Sequence, residues 1–438
     1  MNSKIIAEEI FLAGVESVLP GKMIRRQVSV KGEILFISDF SISLNSIHRI
    51  FVIGAGKASA GMAKELESIL GNRITGGHIV VKYGHGNELQ YINISEAGHP
   101  VPDSNGLDAT QKILHILKEA NKNDLVICLL SGGGSALLTD LPESATLKDM
   151  MTINHFLLNS GADIKEINTV RKHLSKVKGG QVAKAAYPAV LATLVLSDVV
   201  GDPIDVIASG PTVPDKSTFD DAIRILKKYN LFKKIPGRLA NYLQKGTEGI
   251  YPDTPKPGDT IFSTTHNFVI GSNKMALEAA LGKAMELGLN PLIINSALEG
   301  DTIKTAEDIV AIAIRFQNDV TMKKPCCLLF GGETALKIEG NGSGGRNQHL
   351  ALYAASILKD KEKITLLSAG TDGSDGPTMA AGAVVNTDTF NDAFMKGLDI
   401  KKYLQNFDSF HFFEIAGGLI ITGPTLTNVM DIVVVIVE

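Results

Sequence analysis

The chain of 438 residues is poor in cysteine, in excess charge of either sign and in long apolar segments, and each shortage excludes a class of protein. Its three cysteines, Cys128, Cys326 and Cys327, lie inside apolar runs, and their spacing fits neither a disulfide framework nor a zinc site. A net charge of −4 leaves no basic footprint of the kind that nucleic-acid-binding proteins carry. No uncharged apolar run reaches the roughly 18 residues of a membrane span.

The first residues also lack the features of a secretion signal, because Glu8 and Glu9 interrupt the apolar core that such a signal needs. Together with cysteines that suit a reducing compartment, this pattern predicts a soluble, cytoplasmic protein. We expect small-molecule partners, no nucleic acid and no membrane, and either a monomer or a homodimer.

What the sequence does contain is an alternation of short apolar runs with amphipathic helical segments. A helix is predicted over 3–19 and an antiparallel pair over 26–38. Such alternation is typical of parallel sheets with crossover helices. Buried strands are predicted at 49–53, 78–82, 124–130, 189–196, 267–270, 290–294, 325–330, 334–338, 364–367 and 431–437.

The chain is too long for one ordinary core, so the prediction is an α/β protein of two domains, each a mostly parallel sheet flanked by helices. The segment 247–257 is rich in glycine, proline and charge and offers few apolar residues to pack. We therefore expect a Rossmann-like N-terminal domain over 1–245, a linker or hinge over 246–257 and a C-terminal α/β domain over 258–438.

Glycine-rich turns interrupt this alternation at four places where a strand ends or a helix begins. The unpaired N–H groups of a helix N-terminus and the helix dipole attract phosphate or carboxylate. The sequence therefore predicts a scaffold that gathers these turns around a phosphorylated ligand. They are the first glycine turn (54–59), the second (131–135), the third (341–348) and the fourth (370–376).

In the first glycine turn, Gly54 and Gly56 precede Lys57 at a strand-to-helix junction. The turn is not a good dinucleotide fingerprint, because Ser59 replaces the third glycine and Lys82 ends the second strand where an acid is expected. It also lacks the spacing of a Walker A loop. A lysine at a helix N-terminus is disfavoured by the dipole, which suggests an anion beside Lys57, although a plain tight turn with a solvated lysine is an equally good interpretation.

The second and third glycine turns offer backbone amides. The second can form a nest of N–H donors, and it lacks the surroundings of a nucleophilic serine. The third starts a helix and adds one guanidinium. The candidate anion ligands in these two turns are Ser131, Gly132, Gly133, Gly134 and Ser135, and Gly344, Gly345, Arg346 and Asn347.

Several further polar residues follow buried strands or lie in a basic segment. Asp198 and Asp202 end one strand, where helix capping is the common role, but we favour a functional role for Asp198 and leave Asp202 open. Glu333 and Asp375 lie beside glycine-rich turns, which suits Mg²⁺ held jointly with phosphates. Arg171 is a candidate anion ligand. His99 precedes Pro100 and Pro102, which would stiffen its segment and hold it in place, but a lone histidine is more often structural.

As an ordered set these motifs resemble the glycerate 2-kinases of the MOFRL class, proteins also described as hydroxypyruvate reductases. The resemblance implies a two-domain α/β protein with its active site in the interdomain cleft, and ATP-dependent, Mg²⁺-requiring phosphorylation of D-glycerate to 2-phosphoglycerate. The family usually has Glu where this chain has His349. The resembling segments are 54–59, 96–100, 130–137, 171–174, 178–180, 197–202, 208–212, 331–334, 344–348 and 371–376.

The resemblance implies that the chain is a phosphotransferase with an alcohol acceptor. On that basis we assign a role to each candidate site residue. Lys57 and Arg346 are expected to neutralise phosphates or the glycerate carboxylate, and the second glycine turn to hold that carboxylate or the transferred group. Asp198 is expected to act as base or to orient the 2-hydroxyl, and Glu333 with Asp375 to hold Mg²⁺ or its waters.

Two other classes of protein compete with this interpretation. An NAD(P)H-dependent hydroxypyruvate reductase is opposed by the lysine inside the first glycine turn and by the missing acid after the second strand. A non-catalytic sensor of phosphorylated ligands would need the anion-binding turns but not the acids Asp198, Glu333 and Asp375.

Overall fold

Each half of the alternation builds its own sheet in the computed structural model, which describes residues 2–359 and 361–438. Spatial contacts group the chain into an amino-terminal unit, residues 23–197 and 202–270, and a carboxy-terminal unit, the residues through Lys22 with 198–201 and 271–438. Both units are discontinuous along the chain. The expected division of the chain into two domains joined by a linker at 246–257 stays a prediction.

The described strands agree with most of the predicted ones and add several short ones. They are β1 (Val28–Lys31), β2 (Ile34–Ile37), β3 (Phe40–Ser43), β4 (Arg49–Ala55), β5 (Ile74–Lys82), β6 (Asn93–Ala97), β7 (Asp124–Leu130), β8 (Val190–Leu196), β9 (Thr265–Gly271), β10 (Asn290–Leu298), β11 (Cys326–Gly332), β12 (Ile364–Gly370), β13 (Gly382–Val385), β14 (Leu419–Ile420) and β15 (Asp431–Val437).

The helices include the long amphipathic ones that the apolar spacing predicts and a late group that it does not. They are α1 (Ser3–Ser17), α2 (Pro20–Gln27), α3 (Ser59–Leu70), α4 (Ser104–Glu119), α5 (Gly134–Leu137), α6 (Leu147–Leu158), α7 (Ile164–Lys172), α8 (Gln181–Ala186), α9 (Phe219–Lys228), α10 (Gly237–Thr247), α11 (Asn273–Glu286), α12 (Thr302–Asn318), α13 (Arg346–Leu358), α14 (Thr387–Met395), α15 (Ile400–Gln405) and α16 (Ser409–Ala416).

The main sheet of the amino-terminal unit has the strand order β6-β5-β4-β7-β8-β9. The pairs from β6 to β8 are parallel, as the alternation of apolar runs and helices predicts. A separate antiparallel sheet of β1, β2 and β3 contains the pair expected over 26–38. The α/β class expected from the sequence is thus confirmed.

The sheet of the carboxy-terminal unit is mixed, so the expectation of a mostly parallel sheet is wrong for this unit. Its order is β10-β11-β15-β12-β13-β14, and β15 runs antiparallel to both β11 and β12. All seven residues of β15 are buried. A continuous apolar run reports burial on both faces, which is typical of parallel strands, but a central antiparallel strand that helices cover on both faces gives the same run.

The strand predicted at 334–338 is also wrong. Within that stretch only Ala335 makes a β-bridge, to Asp301. The residues after Ala335 are mostly exposed and pair with no other described strand. The apolar residues in this stretch suggested a strand, but no strand of the described sheets lies beside them to pair with.

Helices cover both faces of the carboxy-terminal sheet. On one side, α12, α13 and the late helices pack on β11, β12 and β15 around Phe330, Phe412 and Phe413. On the other side, α1 packs against α11 and the sheet. No helix in the two described stretches has both the length and the apolar character that crossing a membrane requires.

Asn273, at the start of α11, fixes the beginning of the central strand β15. Its side-chain Nδ2 donates to the backbone carbonyls of Val429 (2.8 Å) and Asp431 (2.9 Å), and the side chain is buried. A buried carbonyl without a donor costs free energy that an exposed one recovers from water.

We therefore expect Asn273→Ala to lower the free energy of unfolding by about 2 kcal/mol. Asn290→Ala is the matched control, because Asn290 Nδ2 also donates to a carbonyl, that of Pro325 at 3.0 Å, but at an exposed position. Urea unfolding of both variants measures the difference, and equal losses would show that burial of the Asn273 bonds is irrelevant.

Candidate functional site

Two of the glycine turns leave neighbouring strands at one edge of the amino-terminal sheet. β4 and β7 are adjacent and parallel, with Ala55 opposite Leu130. From β4 the chain continues to β5 on one side, and it later returns to β7 on the other side. In open α/β sheets, ligands bind beyond the carboxyl ends of strands where the order switches in this way. The fold thus places the first and second glycine turns at a preferred ligand position.

Direct hydrogen bonds join these two turns. The Ala58 amide donates to Ser131 Oγ (3.0 Å), and the Lys57 amide donates to the Gly132 carbonyl (3.0 Å). Gly56 has a φ of +139°, and a Cβ there would lie 2.1 Å from Ser131 Oγ. Glycine is therefore required at position 56 both for the backbone conformation and for the close approach.

The joined turns present donors that no side chain of the protein satisfies. Within the described residues, the amides of Gly132 and Gly133 donate no hydrogen bond and the Lys57 ammonium pairs with no acid. Gly133 has a φ of +84°, which helps to expose successive amides on one side. Adjacent backbone N–H groups beside a cation form an anion-binding concavity. That Lys57, Gly132 and Gly133 bind an anion stays a prediction, and their geometry favours it.

A third segment, missed as a site element by sequence reasoning, supports the second glycine turn. Ser135 Oγ lies 2.8 Å from Ser209 Oγ, which in turn donates to Asn168 Oδ1 (3.0 Å) on α7. Ser209 has a φ of +62°, a left-handed conformation in a non-glycine residue. The segment 208–212 belongs to the motifs that carry the family resemblance, and that was the only available signal.

Arg171 follows Asn168 by one turn on the same helix. Its Nε donates to Asn154 Oδ1 (2.9 Å), and burial lowers the pKa of its guanidinium. No acid in the described part of the chain forms an ion pair with Arg171. A half-buried cation without a counter-charge suits the predicted role in anion binding.

Two histidines flank Lys57. Nδ1 of His85 lies 3.1 Å from the Lys57 carbonyl oxygen, and because a carbonyl only accepts, that nitrogen carries the proton. Burial lowers the pKa of His85. Burial, with the charges of Lys57 and Lys82, lowers the pKa of His99 to about 4. Both imidazoles are therefore neutral at pH 7.

In the carboxy-terminal unit, Arg346 is held by acids of its own unit. Its Nε and Nη2 donate to the two carboxylate oxygens of Asp431 (2.5 and 2.9 Å), and Nη1 donates to Glu333 Oε1 (2.7 Å). Burial alone would lower the pKa of Arg346, but the bonds and charge of Asp431 and the charge of Glu333 raise it. The guanidinium is thus firmly charged and largely engaged.

Asp375 takes the place expected for a phosphate at the N-terminus of α13. Its carboxylate accepts from the amides of Asn347 (3.1 Å) and Gln348 (2.8 Å) and from Gln348 Nε2 (3.1 Å). Gly345 lies so close that a Cβ there would be 2.2 Å from Asp375 Oδ1. A carboxylate of the same chain thus already accepts from the Asn347 amide, and the role of Asn347 in phosphate binding stays a prediction.

The remaining members of the third glycine turn are also packed internally. A Cβ on Gly344 would lie 2.1 Å from Ser409 Oγ, and Asn347 Oδ1 accepts from Ser368 (2.7 Å). His349, where the family resemblance led us to expect Glu, is buried and stacks on Phe407 with ring centroids 5.0 Å apart. Burial lowers the pKa of His349 to about 4, so it brings no charge to the site.

Several acids surround Glu333. Burial raises the pKa of Glu333, Arg346 opposes this rise, and the charges of Asp431, Asp198 and Asp372 add to it. Asp198 is assigned by its contacts to the carboxy-terminal unit, together with these acids. The structure thus brings Asp198, Glu333 and Arg346 into one electrostatic cluster, although the domain bounds expected from the sequence put Asp198 in the N-terminal domain.

This cluster does not fit the expected Mg²⁺ site. Glu333 is bonded to Arg346, and Asp375 is bonded to the N-terminus of α13. Across residues 2–359 and 361–438, no group of three or more His, Cys, Asp or Glu side chains is arranged to hold a metal ion. Asp375 in particular is a helix-capping residue in this fold.

Comparison with known proteins agrees with the motifs. Residues 6–244 match the model of a domain of unknown function, DUF4147, and residues 326–431 match the MOFRL family. The D-glycerate 2-kinase of Thermotoga maritima is 41% identical over 435 residues, 98% of this chain and 97% of that protein. The chain belongs to the MOFRL glycerate kinase family. The resemblance inferred from the sequence is thereby confirmed.

A second relative and a solved structure support the same family across the whole chain. The glycerate 2-kinase of Pyrococcus horikoshii is 39% identical over 439 residues, 100% of this chain and 98% of that protein. The crystal structure of the glycerate kinase from Thermotoga maritima has a TM-score of 0.89 at 39% identity, with 100% of this chain and 99% of that chain covered. This chain therefore shares its two-domain α/β fold with a solved glycerate kinase structure.

We expect Gly56→Ala to disrupt the joined turns of this glycerate kinase family member. The added Cβ would collide with Ser131 Oγ and its carbonyl oxygen, and alanine also disfavours the required φ. The free energy of unfolding should fall by about 2–4 kcal/mol, measured by urea denaturation. Gly282→Ala on α11 is the control, because a Cβ there meets no atom within 4 Å. A Gly56→Ala protein as stable as the control would contradict the close approach.

Asp375 gives a pH-dependent prediction. Burial raises its pKa from 3.8 to about 6, although the amides of Gln348 and Asn347 lower it. Between these values the folded protein holds a proton that the unfolded chain has lost, so stability falls as pH rises from 4 to about 6.5.

Because the asparagine side chain in the Asp375→Asn variant cannot titrate, the wild-type protein should lose about 2–3 kcal/mol relative to the variant across this window. Urea unfolding at several pH values measures the difference. Asp308→Asn, at an exposed acid on α12, is the control for the removal of one carboxylate from the protein surface. A flat difference for Asp375→Asn would contradict the buried, charge-penalised carboxylate.

Proposed function

We propose that the chain is an ATP-dependent glycerate 2-kinase that transfers the γ-phosphoryl group to the 2-hydroxyl of D-glycerate. The observation that carries this proposal is the likeness to the Thermotoga maritima D-glycerate 2-kinase over 98% of this chain. The substrate and the position of phosphorylation come from that likeness. The geometry of the site supplies the physical argument for phosphoryl transfer.

Phosphoryl transfer requires mainly the positioning of two substrates and the neutralisation of charge on the moving group. The first and second glycine turns supply a cation, Lys57, and the unpaired amides of Gly132 and Gly133. Arg171 adds a half-buried charge without an acidic partner among the described residues. We assign this set to the transferred phosphoryl group or the glycerate carboxylate, because each member binds anions without first breaking an ion pair.

Arg346 has a narrower role in this proposal than the sequence alone suggested. Three of its five N–H donors already serve Asp431 and Glu333, so two remain for a ligand phosphate. We assign Asp198 to orienting the 2-hydroxyl. The requirement for Mg²⁺ stays a prediction, and no step is assigned to Glu333 or Asp375 through a metal. ATP binding, a cytoplasmic location and an active site between the domains also stay predictions.

The reductase alternative is opposed by the charge at the strand ends. In a dinucleotide fold, an acid at the end of the second strand binds the ribose of NAD. Here β5, the strand beside β4, ends in Lys82, and the turn after β4 carries Lys57. Neither residue can accept a hydrogen bond from a ribose hydroxyl, so no second function is proposed.

One set of assays tests the proposal. The purified protein should convert ATP and D-glycerate to ADP and 2-phosphoglycerate, identified by phosphorus NMR, and should not consume NADH with hydroxypyruvate. Formation of 3-phosphoglycerate would contradict the assigned regiochemistry. Oxidation of NADH without ATP-dependent loss of glycerate would contradict the kinase assignment altogether.

Lys57→Ala should reduce kcat by about 10²–10³-fold, as the loss of one preorganised donor to a transition-state charge does in other enzymes. Lys64→Ala is the matched control, since Lys64 is an exposed lysine on α3, the helix that follows the same turn. Steady-state kinetics and a thermal melt of both variants separate catalysis from folding. Turnover near the wild-type rate in Lys57→Ala would remove this residue from the scheme.

A further inference from the structure

His99 lies directly against the second glycine turn. A Cβ added at Gly133 would be 2.9 Å from both Cδ2 and Nε2 of the imidazole, so the bare backbone of Gly133 makes room for this ring. The Nε2 edge therefore faces the turn whose amides at Gly132 and Gly133 are unpaired. The residues assigned to phosphoryl transfer do not include this histidine.

The loop that carries His99 is fixed by Asp103. Oδ2 of Asp103 accepts from the Gly98 amide (3.0 Å) and from Tyr83 Oη (2.7 Å), and Oδ1 accepts from the Gly106 amide (3.0 Å) at the start of α4. His99 follows Gly98 directly. Its backbone is therefore anchored to a helix N-terminus, which is the kind of support that a precisely placed side chain needs.

The ring of His99 is uncommitted. No described residue forms a hydrogen bond with either ring nitrogen. The nearby acids, Glu96 and Asp103, are engaged elsewhere: Glu96 Oε1 accepts from the amides of Gly84 (3.2 Å) and Gly86 (3.0 Å). The imidazole thus keeps a lone pair that can accept a proton from a ligand.

The charges facing His99 keep it neutral before a ligand binds. Burial is the largest cause of its lowered pKa, followed by the charges of Lys57 and Lys82 and by His85. An anion bound by Lys57 and the second glycine turn would offset the nearest of these cations. The basicity of His99 should therefore increase when the phosphoryl group and glycerate are in place.

We propose that His99 is the general base of the reaction and accepts the proton of the glycerate 2-hydroxyl; this inference rests on the proposed glycerate 2-kinase function. The 2-oxygen forms its bond to the γ-phosphorus as the bond between that phosphorus and the β,γ-bridging oxygen breaks. The hydroxyl proton passes to a ring nitrogen of His99, ADP leaves with the bond electrons, and the imidazolium later releases the proton to water. Asp198 then orients the hydroxyl and does not take its proton.

His99→Gln is the decisive variant, because the glutamine amide can occupy the position of Nε2 but cannot take a proton. We expect kcat to fall about 10²–10³-fold, within the range of general base catalysis, while KM for glycerate changes less than about 10-fold. His115→Gln is the matched control at an exposed histidine on α4 and should leave turnover unchanged. Added imidazole should partly restore turnover to His99→Ala, since a small base can enter the space left by the ring.

The pH profile separates a base from a merely structural residue. In the wild type, the acid limb of the kcat/KM profile should lie near pH 4, because kcat/KM reports the free enzyme, in which the pKa of His99 is about 4. The acid limb of the kcat profile should lie at higher pH, because kcat reports the enzyme with its substrates bound. Both limbs should be absent in His99→Gln. A His99→Gln enzyme with wild-type kcat, or with both limbs intact, would overturn the proposal, as would loss of the acid limb in Asp198→Asn with its retention in His99→Gln.

Failure of the proposed function can be told apart from failure of this inference. Wild-type protein without ATP-dependent turnover of glycerate would refute the kinase assignment itself. The His99 contact is then read by NMR of the His99 imidazole in wild-type protein with D-glycerate and a non-hydrolysable ATP analogue. An upward shift of its titration midpoint on adding both supports contact with the ligands, and no shift refutes it.

Discussion

The site in the amino-terminal unit depends on one close approach, that of the turn after β4 to the turn after β7. The parallel register of the two strands brings both turns to the same edge, and Gly56 allows the backbone of the first to lie against Ser131 of the second. Two hydrogen bonds then use the amides of Lys57 and Ala58. Among the residues that the structure describes, the amides of Gly132 and Gly133 and the ammonium of Lys57 remain unpaired, and these are groups that an anion requires.

The carboxy-terminal unit meets the same electrostatic demand differently. The N-terminus of α13 also attracts negative charge, but Asp375 supplies it from within the fold, and Arg346 is likewise neutralised by Asp431. A glycine-rich turn before a helix therefore predicts an anion but not its source. Whether the anion is a ligand or a side chain depends on a residue that can be distant in sequence, as Asp375 is from Gly345.

This difference shows how much of the structure the sequence could predict. Apolar periodicity located most strands and the long helices, because burial leaves a local trace in the residues themselves. Strand direction leaves no trace within the strand itself, so the antiparallel position of β15 was missed. The candidate site shows the same limit of local sequence patterns. Lys57 and the second glycine turn can be found from their sequence motifs, whereas Ser209 and Asn168 support that turn only through tertiary contacts. His99 was visible in its motif, but its place against Gly133 was not.

The proposed base, His99, is neutral, and this neutrality leaves Lys57 free to bind the anionic ligand. A carboxylate in the place of His99 would be attracted to the same cation and would compete with the ligand for it. The pairing of Arg346 with Asp431 and Glu333 shows the outcome when acids lie beside a cation in this protein. An imidazole whose pKa is held low by burial and by the neighbouring lysines accepts a proton without forming that ion pair. The unpaired lysine and the uncharged histidine are thus two consequences of one arrangement, in which the cation is kept for the ligand and the base gains strength only when the ligand arrives.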